Sequence, residues 1–133
     1  MYLLDTCVLA EARRRSPEAG AWLVSVDRDA IFLSVMTLGE IMKGIALIGR
    51  RDPTAAASLA RWLEELRAEY EGRILAVDDA VGIAWGRLMA IRPRPFTDGL
   101  IAATAIIHSM IVVTRNVADF ADAGVQIINP WAL

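Results

Sequence analysis

Apolar positions along this chain fall into two kinds of run. Five are short and nearly continuous: "YLLD", "AIFLS", "RILAV", "MIVVT" and "VQIIN". Unbroken apolar stretches of this length, rich in β-branched residues, predict strands buried on both faces. Between them lie longer stretches with helical spacing. "VLAEARRR" predicts a helix that stops near "SPEAG", and Pro17 suits the first turn of the next one, "PEAGAWLVSV". "VMTLGEIMKGIALIG" is ended by Gly49, with Arg50 and Arg51 at its carboxyl end. Pro53 opens a long helix to about Glu71, with Leu59, Trp62, Leu63 and Leu66 on one face, and Gly72 closes it. Asp78 caps the helix "DAVGIAWGRLMA", "RPRPF" predicts a loop, and "TDGLIAATAIIHS" predicts a further helix. "NVADFADAG" reads as a short helical turn. Strands alternating with helices imply a parallel sheet covered on both faces, an α/β sandwich. The 133 residues are read as a single domain, 1–133.

Composition narrows the function classes. Hydrophobic residues make up 56% and charged residues 23%, which excludes a disordered chain. The formal net charge of -2 is the reverse of the basic footprint of a protein that holds nucleic acid by bulk electrostatics. Cys7 and His108 are single, so neither an intramolecular disulfide nor a zinc site of Cys/His type is expected. The longest uncharged stretch, Gly99 to Thr114, is shorter than the ~20 apolar residues of a spanning helix. Without a signal peptide in view, the expected location is cytoplasmic, with no membrane partner.

Four acids stand where strands give way to helices. Asp5 ends the first strand, Glu40 lies early in the helix after the second, Asp98 begins the helix before the fourth, and Asp119 follows the fourth in "VTRNVADF". In an open parallel sheet, ligand sites form outside the carboxyl ends of the strands. Each acid also has an ordinary explanation. Asp5 can cap the next helix, Thr37 to Glu40 fits a T-x-x-E capping box, Thr97 or Asp98 can be an N-cap, and Asp119 can complement a helix dipole. As a set they say more. Clustered carboxylates raise one another's pKa unless a cation compensates them. All-oxygen ligands favour Mg²⁺ or Mn²⁺, and the chemistry that follows is metal-assisted phosphodiester hydrolysis.

"LLDTCVL", "LSVMTLGEIMKG", "FTDGLIAATAIIHSMIVVTRNVADF" and "INPW", in this order and spacing, resemble the PIN-domain family and, within it, the VapC-type and FitB-type ribonuclease toxins of type II toxin–antitoxin pairs. The resemblance implies a three-layer α/β/α sandwich with a central, mainly parallel sheet of roughly five strands. It implies a Mg²⁺- or Mn²⁺-dependent endoribonuclease with Asp5, Glu40, Asp98 and Asp119 as catalytic acids. Asp5, Asp98 and Glu40 are the metal ligands it points to. Thr6, Thr114, Arg115 and Asn116 are expected outer-shell or phosphate contacts, Arg115 equally as an ion-pair partner of an acid. Relatives often carry Asp where this chain has Asn116, so either Asn116 or Asp119 completes the acidic set. Cys7 stands where relatives have Asn or Ser, which removes a polar group beside Asp5. The implied partners are an RNA substrate, a cognate VapB-like antitoxin and a second copy in a homodimer, which can build a higher toxin–antitoxin assembly. The segment "MKGIALIGRRDP" and the long helix after it offer an antitoxin groove or dimer face, set against ordinary packing on the sheet.

Two other readings compete. A haloacid-type phosphatase also starts with an apolar strand ending in Asp, but it needs a second acid where Cys7 stands and a catalytic lysine, for which Lys43 is poorly placed. A catalytically weak or inactive PIN-like module that binds only RNA or protein is the alternative, and metal-dependent cleavage separates it from the nuclease.

Overall fold

The computed structural model describes all 133 residues. Five strands, β1 (Tyr2–Leu4), β2 (Ile31–Ser34), β3 (Ile74–Leu75), β4 (Ile111–Val113) and β5 (Ile127–Ile128), form one sheet in the order β3-β2-β1-β4-β5. Every pairing is parallel, with Leu3 beside Phe32 and Val112. The chain winds outward from β1 through β2 to β3, then returns to β4 on the other side of β1. The order therefore reverses between β1 and β4, and the crevice outside their carboxyl ends is the topological switch point.

Seven α-helices cover the sheet: α1 (Thr6–Arg13), α2 (Pro17–Ser25), α3 (Val35–Ile48), α4 (Pro53–Glu69), α5 (Asp79–Ile91), α6 (Phe96–His108) and α7 (Val117–Phe120). Adjacent strand residues point to opposite faces, and the core divides accordingly. Leu3 and Val112 pack with Val81, Leu88, Ile101 and Phe120 beneath α5 and α6. Leu4 and Val113 pack with Val8, Trp22, Ile41, Leu63 and Leu66 beneath α1 to α4. Helix layers on both faces make this the α/β/α sandwich that the resemblance implied.

Several boundaries move. The "RILAV" strand keeps only two paired residues, and the long helix ends at Glu69 rather than near Glu71. The loop expected at "RPRPF" stops one residue earlier, because Pro95 takes the N-cap position and Phe96 opens α6. The long stretch 99–114 is a helix and a strand, buried except at the end of the helix, where Ile106 and Ile107 are exposed; no helix here is long and apolar enough to cross a membrane.

Candidate active site

Asp5 sits one residue beyond β1 and its backbone N–H donates to the carbonyl of Val113, 2.9 Å away, so it is stitched across the switch point. It is the N-cap of α1: Oδ1 accepts the Thr6 N–H at 2.8 Å. The capping explanation is therefore correct for Asp5, and incomplete. Oδ2 accepts the buried Thr114 hydroxyl at 2.8 Å and the Cys7 thiol at 3.5 Å. Burial pushes the Asp5 carboxyl above its ordinary 3.8, against the hydrogen bonds from Thr114, Cys7 and Thr6 that pull it down.

The capping explanation fails for Glu40. Ser34 caps α3 through the Met36 N–H, so Thr37 and Glu40 fall inside the helix and no T-x-x-E box forms. The strand ends at Ser34 and the helix follows at once, which shifts the cap three residues upstream. Thr37 is instead fully buried against Thr6, and Glu40 Oε1 lies 2.6 Å from Thr6 Oγ1. Thr6 has one hydroxyl proton. The shorter, charge-assisted bond to Glu40 takes it, leaving the Thr37 hydroxyl to donate to Thr6 across 3.1 Å.

Neither Thr97 nor Asp98 is the N-cap of α6, because that position is Pro95; Asp98 lies in the first turn. Helix α6 leads directly into β4, so its amino end lies at the carboxyl edge of the sheet. Asp98 is pushed up from 3.8 to about 7. Burial is the largest cause, then a hydrogen bond shared with Asp119, then the charges of Asp5, Asp119 and Glu40. One carboxyl thus feels all three others, and the four acids from separate stretches of chain meet at one edge.

Asp119 occupies the first turn of α7. Its carboxyl is the one that faces Asp98, while the Asn116 side chain makes no hydrogen bond and its backbone N–H donates to Thr114 Oγ1 at 2.9 Å. Arg115 is not an ion-pair partner of any acid: its exposed guanidinium lies over the Trp131 ring, 4.8 Å from the centroid. All five ion pairs of the chain involve other carboxylates, those of Glu11, Glu64, Glu69 and Asp122. The acid cluster has no cation of its own.

That composition suits a hard divalent ion. No group of three or more acid, histidine or cysteine side chains is drawn together tightly enough to be a metal cage by itself. Mg²⁺ does not need one, since it keeps several waters and takes only one or two carboxylates directly. The largest concavity, about 610 Å³ between Leu23, Val26, Arg28, Ile31, Glu69 and Tyr70, is at the amino ends of β2 and β3 and contains none of the four acids. The second concavity, beside Ala105, Met110 and Gln126, contains none of them either. Two supporting groups were not assigned from sequence. Thr37 looked like a cap, and Cys7 looked like a lost polar contact, whereas its thiol, pushed to about 11 by burial and by Asp5, stays protonated and donates to Asp5.

Comparison with known proteins gives the same frame. The PIN domain family model matches residues 2–125. Toxin FitB of Neisseria gonorrhoeae is 34% identical over 98% of this chain and 99% of its own length. The VapC ribonuclease Y4jK of Sinorhizobium fredii is 32% identical over 98% of both. The crystal structure of FitAcB from Neisseria gonorrhoeae superposes with a TM-score of 0.91 at 33% identity, covering 100% of each chain. This chain belongs to the PIN domain family.

Proposed function

We propose that this chain is the toxin of a type II toxin–antitoxin pair and acts as a Mg²⁺- or Mn²⁺-dependent endoribonuclease. The observation that carries the reading is the meeting of Asp5, Glu40, Asp98 and Asp119 at the switch point without any cation of the protein's own. The names of the two relatives, a toxin and a ribonuclease, support it.

Asp5, Asp98 and Glu40 would hold the metal, which when bound neutralises phosphate charge and lowers the pKa of a bound water. Thr114 and Cys7 hold the Asp5 carboxylate in one orientation. Thr6 fixes Oε1 of Glu40, leaving its other oxygen to take a proton from the attacking water. The water oxygen bonds to phosphorus, the P–O bond to the leaving nucleoside breaks, and that oxygen is protonated from solvent. Asp119 holds the Asp98 side of the cluster, and Arg115, exposed on Trp131, is the fork for an RNA phosphate.

The cognate partner is a small VapB-like antitoxin. A basic side chain from it would supply the cation the acid cluster lacks. In the α3–α4 hairpin, Ile41, Leu63 and Leu66 are committed to the core, while Met42 and Leu47 remain about half exposed. Those two are the residues the hairpin can offer to an antitoxin or to a second copy.

The test is cleavage of total cellular RNA by the purified chain, freed of any partner, with sequencing of new 5′ ends. Discrete cuts with Mg²⁺ or Mn²⁺ that disappear with EDTA and in Asp98→Asn support the reading. A folded, partner-free protein that cuts nothing in either metal refutes it and leaves the non-catalytic binding module.

A further inference from the structure

Helix α7, which carries Asp119, spans only Val117–Phe120. One turn of helix cannot hold itself, since a single turn is an unfavourable nucleus. Its carboxyl end is held from outside by two arginines of the "RPRP" connection between α5 and α6. Arg92 Nη2 donates to the carbonyls of Ala118 at 2.7 Å and Ala121 at 3.2 Å. Arg92 Nε donates to both carboxylate oxygens of Asp122, at 3.0 and 2.9 Å. Arg94 Nη1 donates to the Asp119 carbonyl at 3.4 Å, and Nη2 to Asp122 Oδ1 at 3.3 Å. The Arg94 side chain is wholly buried, and its Nε has no partner. Asp122 itself adopts the left-handed conformation, at φ +60°, that few non-glycine residues take.

A buried arginine with an orphaned N–H and a carboxylate on a left-handed backbone both cost stability, so the local arrangement is held against its own preferences. What it achieves is positional. The same two arginines precede Asp98 by six and four residues in the chain and bond the carbonyls of Ala118, Asp119 and Ala121 in space. Pro93 and Pro95 restrict the backbone between them.

We propose that Arg92 and Arg94, tied together by Asp122, form a positioning clamp that holds α7 and so keeps Asp119 opposite Asp98. They touch neither substrate nor metal; they act through Asp119. The inference rests on the ribonuclease reading for its consequence in catalysis, but the clamp itself can be tested without activity.

The experiment compares wild type with Arg92→Ala, Arg92→Lys and Arg94→Met by amide hydrogen exchange, thermal melting and cleavage of an RNA that the wild type cuts. Arg92 is the folding-safe position: its side chain is one-third exposed, and its loss leaves Asp122 paired with Arg94. In Arg92→Ala, exchange at Asp119 and Ala121, whose N–H groups close the α7 turn, rises at least ~10-fold while Ala103 in α6 keeps its protection. The kcat falls ~10- to 100-fold with KM little changed, the range expected when a group that positions an active-site acid from outside is removed. Arg92→Lys restores the charge facing Asp122 without the fork, so it recovers melting temperature but not kcat.

Unchanged α7 protection in Arg92→Ala overturns the clamp, as does full activity in Arg92→Ala or Arg92→Lys. Loss of protection spread evenly over α6 and α7 also overturns it, since that is general destabilisation. If the wild type cuts no RNA, the ribonuclease reading falls, and the exchange pattern alone still decides whether the arginines hold α7.

Discussion

Replacing Asp98 by asparagine should remove activity and at the same time make the metal-free protein more stable. The reasoning starts from the carboxyl's displacement from 3.8 to about 7. A raised acid contributes stability that is fully present below its unfolded pKa and is lost as pH rises through the folded one. The loss therefore runs from about pH 4 to about pH 7, and above that range the native state carries the whole penalty. Taken at face value, ~1.4 kcal/mol per pH unit would give an upper limit of ~4 kcal/mol. Asp98 is only half-buried, so solvent screening brings the figure to ~1–2 kcal/mol. For a domain of this size that is a rise in Tm of ~4–8 °C.

The assay is thermal melting of wild type, Asp98→Asn and the exposed control Glu65→Gln in EDTA at pH 4 and pH 8, repeated at pH 8 with Mg²⁺. At pH 4 wild type and Asp98→Asn should melt together, because a neutral carboxyl and an amide are electrostatically alike. At pH 8 Asp98→Asn should melt higher. Mg²⁺ should raise the wild-type Tm and leave Asp98→Asn nearly unmoved, since bound ligand stabilises the native state only where it binds. An Asp98→Asn protein that melts at or below wild type at pH 8 in EDTA would refute the idea that burial of the Asp98 carboxylate beside the other acids strains this edge.

Other consequences are more local. Thr114→Val keeps the buried shape but strips Asp5 Oδ2 of its best donor and the Asn116 N–H of its acceptor, which should lower stability by ~1–3 kcal/mol; an unchanged Tm would mean that water replaces the hydroxyl. Cys7, pushed to about 11, should react with a thiol reagent at pH 7.5 at least ~100-fold more slowly in the native protein than in urea, and equal rates would contradict the buried contact with Asp5. A methyl at Gly99 would meet Met89 Sδ at 2.9 Å and Trp85 Cδ1 at 3.1 Å, so Gly99→Ala should cost ~1–2 kcal/mol despite its better helix propensity. A higher Tm in that variant would show that the Trp85 ring gives way.

Much of this molecule follows from short-range pattern. Strands buried on both faces need unbroken apolar runs, and parallel neighbours need helices between them, so "AIFLS" and "MIVVT" are legible without any contact being known. The carboxylate that ends the first strand was legible for the same reason, because a core strand has no use for one.

What the chain alone left undecided depends on contacts between distant residues. The sequence "TLGE" satisfies a capping box, yet Ser34 ends β2 and caps α3 first; Glu40 is then drawn to Thr6, which lies 34 positions earlier. Which of Asn116 and Asp119 turns its side chain toward Asp98 depends on how one short helix is placed, and that helix is bonded by arginines 25 to 30 residues away in the chain. Arg115 could not be assigned until Trp131 was seen beneath it. Hydrophobic periodicity determines which elements form, because burial is read along the chain one residue at a time. The carboxylates and the groups that orient them are set by which loops meet at the edge between β1 and β4, and only the folded sheet brings those loops together.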